Sequence, residues 1–363
     1  PKEFSNVGLP FIRAGHLKDL LEGTKLNELP KVSNEVADKK RLKTIPSGTI
    51  IFAKSGMSAT KNRIYITESE AYIVSHLAGI LPNKKISEGY LSRYLSYYNP
   101  SNLILDEAYP SIRLEDINNL KIPIPPLDQQ KKIADILDAA DVYRQKTKAL
   151  IEKYDELTQS LFLDMFGDPV TNPKGWEIRK LNEFIEVIVD VGSNGGNDWV
   201  SSNINMKNEE DYALMIRTVN LNKNDFKNNL KYVSEKTYNL FKKTKVYGGE
   251  IIMNKIGSAG KYWIMPYLNR PVSLGLNQLM MTFNNLDKTF FYHFYNTDYG
   301  RRLINSKLNG ATTKSITKTA IRELGIFYPS DYLQNQFAER VQAIEEQKEQ
   351  AQASLAQAED LFN

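Results

Sequence analysis

Cysteine is absent from this chain of 363 residues. That excludes a disulfide framework, thiolate metal sites and cysteine nucleophiles. Histidine is scarce: His16, His76 and His293 are the only three, far apart in sequence, so no histidine-rich metal site is expected. No apolar run reaches the roughly 18 residues a membrane helix needs. The opening Pro1-Lys2-Glu3-Phe4 has no apolar signal segment. These absences predict a cytoplasmic protein with no membrane partner. Net charge is also small, +4, too mild to indicate nucleic-acid binding by itself. What is present is ordinary globular composition, 41% hydrophobic and 25% charged, enough for about two or three domains.

The small net charge hides an uneven distribution. By count it is +4 over residues 1–126, −2 over 127–166, +7 over 167–330 and −5 over 331–363. Two basic blocks are each followed by an acidic one, and both acidic blocks carry helical periodicity. After Pro125-Pro126, the residues Ile133, Ile136, Ala140, Tyr143, Thr147, Leu150, Tyr154, Leu157 and Leu161 alternate at spacings of 3 and 4, an a/d seam. Asp128 is the expected N-cap, and Gly167-Asp168-Pro169 the expected stop. A helix of about 37 residues is about 55 Å long. Phe337, Val341, Ile344, Lys348, Ala351, Leu355, Ala358 and Phe362 repeat the pattern. The two helices are expected to pair as a coiled coil.

The chain also repeats itself. Ile117, Leu120, Ile122, Pro125, Gln130, Ile133 and Ala134 match Ile321, Leu324, Ile326, Pro329, Gln334, Phe337 and Ala338 at a constant offset of 204. Phe11-Ile12-Arg13 matches Met215-Ile216-Arg217 at the same offset. Between these anchors the offset is about 200, pairing the segment that starts at Gly48 with the one that starts at Gly249, and Lys61 with Lys261. The reading is a duplication of a basic α+β unit followed by a long helix: domains at 1–126 and 168–330, helices at 127–167 and 331–363. Inside the units, strands are expected at 48–52 and 63–66, an extended segment at 120–126, and helices at 88–98 and 289–303.

No residue constellation supplies a nucleophile, a base and an orienting group, so no catalytic residue is assigned and the chain is expected to perform no chemistry alone. The 191–196 glycine cluster lacks a cofactor-loop fingerprint, and Tyr262 stands where a phosphate loop needs Ser or Thr. Binding chemistry remains. Lys54, Lys61 and Arg63 gather about one Gly/Ser loop, and Lys255 and Lys261 repeat the arrangement. Mobile cations suit phosphates, while Arg and Asn suit base edges. Arg13, Arg217, Asn220 and Asn277 complete the candidate DNA-binding set.

Several of these motifs together resemble the specificity subunits of type I restriction-modification systems. The likeness lies in Ile122-Pro123-Ile124-Pro125-Pro126-Leu127 with Gln130, Ile133, Ala134, Ile136 and Leu137. It continues in Leu161-Phe162-Leu163-Asp164-Met165-Phe166-Gly167-Asp168-Pro169, Gly175-Trp176 and Phe11-Ile12-Arg13, and it covers essentially the whole chain. It implies two target recognition domains, each reading one half of a split site in double-stranded DNA, with the two long helices as an antiparallel coiled coil that spaces them. It implies two modification subunits and a restriction subunit as partners. S-adenosylmethionine, ATP and magnesium are then expected on those partners and no cofactor or metal in this chain. By the same repeat logic, about 30 residues of the first domain and a few at the end of the second helix are expected to lie outside the sequence. Two other readings stay open: the recognition part of a fused restriction-methylation enzyme, and a coiled-coil adaptor with no DNA role.

Overall fold

The computed structural model describes residues 4–360. The chain divides into two compact units, one made of Pro1–Lys148 with Ala353–Asn363 and the other of Ala149–Gln352. Both long helices cross this division, so each unit takes a share of both.

In the first unit the strand Leu9–Ile12 pairs antiparallel with Lys31–Val32 on one side. On the other it pairs parallel with Ala71–Ile73, which in turn takes Thr44–Ile45. A second sheet runs Tyr65–Ile66, Ile50–Ala53, Leu77–Ile80. Its central strand is an unbroken apolar run because both faces are buried. Alternate side chains enter different cores: Ile51 and Ala53 pack with Ile12, Leu17 and Leu77, whereas Ile50 and Phe52 pack with Leu91, Leu95 and Ile112.

The second unit repeats this design strand for strand. Tyr232–Val233, Ala213–Met215, Val272–Ser273 and Lys245–Val246 form the first sheet in the same order. Tyr262–Ile264, Ile251–Asn254 and Gln278–Phe283 form the second, extended by Ile185–Asp190. Even the register is kept: Ala53 faces Leu77, and Asn254 faces Gln278, each position shifted by 201. The duplication read in the sequence is thus present in topology.

Two local expectations change. The 120–126 segment forms no strand among the described residues, because Pro123, Pro125 and Pro126 have no N–H to donate. Its counterpart Gly325–Phe327, free of proline, pairs with Ile178–Lys180. The helix expected over 289–303 is two helices, Lys288–Asn296 and Asp298–Ser306. It breaks at Thr297, whose hydroxyl accepts the Gly300 N–H at 3.1 Å and caps the second. Helix Glu88–Tyr98 forms as expected, capped by Ser87.

The first long helix spans Leu127–Phe166, 40 residues and about 60 Å. It starts one residue ahead of Asp128: the Pro126 carbonyl accepts the N–H groups of Gln129 and Gln130. Asp128 instead lies in the first turn, where a carboxylate meets the positive end of the helix. Gly167 ends the helix at φ +81°, a conformation costly for other residues, and the Trp176 indole N–H caps the Phe166 carbonyl at 2.8 Å.

The second long helix, Asp331–Asp360, runs antiparallel to the first. In the first unit Lys148 meets Glu359 at 2.8 Å, and in the second Asp155 meets Lys348. Phe162, Phe166, Phe290 and Phe337 are fully buried together, with ring centroids 4.7–5.9 Å apart, joining both helices to helix Lys288–Asn296. The expected seam of the second helix faces inward: Phe337, Val341 and Ala358 are buried, and Ile344, Lys348, Ala351 and Leu355 partly so. Phe362 lies outside the described residues.

The expected seam of the first helix is corrected. Ile133, Ile136, Tyr143, Leu150 and Leu157 are 39–66% exposed, whereas Ala140, Tyr154 and Leu161 are half-buried and Thr147 is buried. Off the expected seam, Gln130, Ala134, Thr158, Phe162 and Met165 are buried, so the inward face is shifted from the seam by less than one residue and meets it at Thr147. Thr147 and Thr158 can be buried because their hydroxyls donate to the carbonyls of Tyr143 and Tyr154 at 2.8 and 3.0 Å. Among the described residues no helix is long and apolar enough to cross a membrane.

Candidate nucleic-acid interface

In each unit a short loop leaves the buried central strand and is stitched down by the same three backbone bonds. In the first, the Lys54 N–H donates to His76 O (2.8 Å), the Gly56 N–H to Pro110 O (2.9 Å) and the Ile112 N–H to Lys54 O (2.7 Å). In the second, Lys255 donates to Asn277 O (2.7 Å), Gly257 to Lys314 O (3.1 Å) and Ile316 to Lys255 O (2.9 Å). Gly56 and Gly257 have φ of +73° and +81°, with open space where a Cβ would stand. Conformation, not crowding, therefore requires glycine there. The chemistry-bearing loops read from sequence are rigid at their base and solvent-facing at their tip.

The candidate residues take different positions on this frame. Lys61 and Lys261 are exposed, the Lys261 ammonium lying 5.6 Å from the Trp263 ring. Lys54 and Arg63 are half-buried, and Asn277 is exposed. Arg13 and Arg217 follow equivalent strands but differ in environment. Arg13 is exposed, its guanidinium 5.3 Å above the Phe4 ring. Arg217 is half-buried and donates to the carbonyl oxygen of Asn229 and, at 3.3 Å, to its side chain.

Two of the expected contacts are corrected by burial and charge pairing. Asn220 is 2% exposed, and its amide donates to the Asp225 carbonyl at 3.2 Å. It closes a turn and presents no edge to solvent. Lys255 is held at 2.6 Å by buried Asp190, which also accepts from Lys318 at 3.0 Å and Ser193 at 2.9 Å. Burial alone would raise the Asp190 pKa, but hydrogen bonds from Lys255, Lys318 and Ser193 outweigh it and hold the carboxyl down at about 2. Lys255 thus anchors its loop and is not a free phosphate cation. No sequence signal marked Asp190 or Lys318, which stand 128 positions apart.

The second unit also holds an open groove of about 1080 Å³ between helix Lys288–Asn296 and the long helices. Its charges are mixed with acids in excess: Asp155, Glu156, Asp287, Glu339 and Glu345 against Lys288, Arg301 and Lys348. His293 on its wall is held down at about 4, first by burial and then by the Lys348 charge. Among the described residues no group of three His, Asp or Glu could hold a metal ion.

Comparison with known proteins places this arrangement. A family model described as the type I restriction modification DNA specificity domain matches residues 2–154 and again 173–359. A putative type I restriction enzyme MjaX specificity subunit from Methanocaldococcus jannaschii is 25% identical over 359 residues, covering 94% of this chain and 81% of that protein. The MjaVIII specificity subunit from the same organism is 22% identical, covering 81% and 76%. Among solved structures, a type I restriction-modification S subunit from M. genitalium superposes with a TM-score of 0.58 at 13% identity, over 99% of this chain and 88% of that one. A chain from a structure of type I R-M complex assembly and conformational transition superposes at 0.53 and 16% identity, over 98% and 89%. At such identities the structural likeness establishes the fold.

Proposed function

Because the chain belongs to the type I restriction modification DNA specificity family, with the match falling once on each half of its duplication, we propose that it is the DNA-reading subunit of such a complex. Each unit reads one half of a split site through the loop that leaves its central strand, and the long helices set the number of unread bases between the halves. The observation that carries this reading is the identical stitching of the two loops. A duplicated rigid base with differing exposed tips is what two readers of different half-sites require.

The exposed stripe on the first long helix supports the partner assignment. Ile133, Ile136, Tyr143, Leu150 and Leu157 recur every three to seven residues and open to solvent. Large apolar side chains left open on the helix in each unit are the mark of a protein interface. Modification subunits, two per chain, cover it in this reading, and a restriction subunit joins the assembly. Methyl transfer from S-adenosylmethionine and ATP- and magnesium-dependent steps then belong to those partners, while this chain supplies address and scaffold.

Selection from random duplexes with the full chain assembled with its modification subunits tests the reading. A two-part sequence with a fixed gap is expected, with affinity falling steeply with salt as bound phosphates release counterions. Binding without preferred sequence and without salt dependence would overturn it and favour a coiled-coil adaptor.

A further inference from the structure

Strand register brings a second set of cations to the rim that carries the reading loops. In the first unit Ile12 lies opposite Ile73, and Thr44 lies opposite Tyr72 in the antiparallel edge strand. Arg13, one step past Ile12, and Lys43, one step before Thr44, therefore meet at the same end of strand Ala71–Ile73. The chain leaves that strand end to His76, whose carbonyl anchors Lys54. The second unit does the same: Met215 and Lys245 both lie opposite Ser273, so Arg217 and Lys243 share a rim, and Asn277 beyond it anchors Lys255.

The residues entering each edge strand are basic in both units although their sequences are unrelated: Arg41-Leu42-Lys43 in one and Lys242-Lys243-Thr244 in the other. Arg41, Lys43, Lys242 and Lys243 are all exposed. Arg41 carries a further sign. It caps helix Asn34–Lys40 at φ +52°, ψ +41°, a left-handed conformation that glycine or asparagine adopts without steric cost. A long cation at a strained position points to a role outside folding.

We propose that Arg41 and Lys43 in the first unit, and Lys242 and Lys243 in the second, grip the DNA phosphates beside each half-site and fix the height at which the reading loop meets the bases. This rests on the DNA-reading function proposed above. Exposed lysines and arginines at one rim suit phosphate oxygens, which carry no sequence information and set register. The pairing also replaces the charge that Lys255 loses to Asp190.

The test uses the full chain assembled with its modification subunits, and duplexes bearing the selected site. Arg41→Gly with Lys43→Ala, and separately Lys242→Ala with Lys243→Ala, are each expected to lower the slope of log affinity against log salt by about 2, one per lost phosphate contact. The order of preference among base substitutions stays as in the wild type. Arg41→Gly alone lowers the slope by about 1 while leaving the melting temperature unchanged or raised, which separates binding from folding. Lys131→Ala with Lys132→Ala, exposed on the first long helix, leaves the slope unaltered. An unchanged slope in both rim variants, or altered base preference, overturns the proposal while the wild type still binds its split site. Absence of that site in the wild type overturns the underlying function instead.

Discussion

Gln130 and Gln334, 204 positions apart, make the same join in their two units. The Gln130 side-chain oxygen accepts the backbone N–H of Ser87 at 2.8 Å, and Gln334 accepts that of Asp287 at 2.8 Å. Ser87 and Asp287 are the N-caps of equivalent helices. Each glutamine amide donates to the proline carbonyl five residues before it, Pro125 or Pro329. One buried side chain therefore locks a recognition-unit helix to the start of a long helix. Replacing Gln334 with Leu orphans the Asp287 N–H and the Pro329 carbonyl, each at a cost of about 1–3 kcal/mol. Denaturant unfolding of the full chain is expected to show that loss, and an unchanged midpoint would refute the lock.

Asp190 is expected to act as the anchor of the second reading loop. Asp190→Asn leaves Lys255 and Lys318 facing each other across a neutral amide, at a cost of about 3 kcal/mol. Because the folded carboxyl is held down at about 2, its contribution is present above the ordinary carboxylate range near pH 4 and is lost as pH falls toward 2. Comparing unfolding of wild type and variant at pH 7 and pH 3 measures it: the gap between them should narrow at the lower pH.

His293 gives the second unit a weakness in mild acid. Its folded pKa of about 4 lies below the ordinary 6.5, so between those values the unfolded chain binds a proton that the folded chain refuses. Stability is complete above pH 6.5 and declines as pH falls toward 4. His293→Phe should flatten that decline in thermal melts at pH 7.5 and pH 5. Equal slopes in wild type and variant would show that other groups cause it.

The exposed stripe and the buried face of the first long helix should separate in their effects. Ile136→Asp and Leu150→Asp, on the stripe, are expected to leave the melting temperature of the chain within a few degrees, since surface substitutions cost roughly 0.5 kcal/mol or less. They should abolish co-purification with modification subunits. Phe337→Ala, in the buried aromatic cluster, costs about 3–5 kcal/mol. Retained co-purification of both stripe variants would move the partner interface elsewhere.

That helix also shows how far the sequence could be read. Its length, its stop at Gly167 and the repeat of its opening were legible because glycine, proline and a constant offset are local signals. Its inward face is legible only in part: Ala140, Thr147, Tyr154 and Leu161 of the expected seam are buried or half-buried, and the rest of that seam is exposed. Periodicity marks every apolar position, and Ile133, Ile136 and Leu150 are apolar although the chain itself leaves them exposed. The face it buries carries Gln130, Thr147 and Thr158, whose polar groups are satisfied by bonds that no spacing rule reveals. The reading loops were found because Lys54–Lys255 and Gly56–Gly257 repeat in the two units. Asn220 and Lys255 resemble ligands in the sequence because side-chain type does not disclose a buried partner such as Asp190, 65 positions away from Lys255.

The central claim is that two units read two half-sites. Genome-wide mapping of methylated bases in a host expressing this chain with its modification subunits tests it most directly. The expected result is one motif of two short halves separated by a fixed number of unread bases, of which only one half changes when residues 255–263 are exchanged for those of a relative. A continuous motif, or a change in both halves, would contradict it.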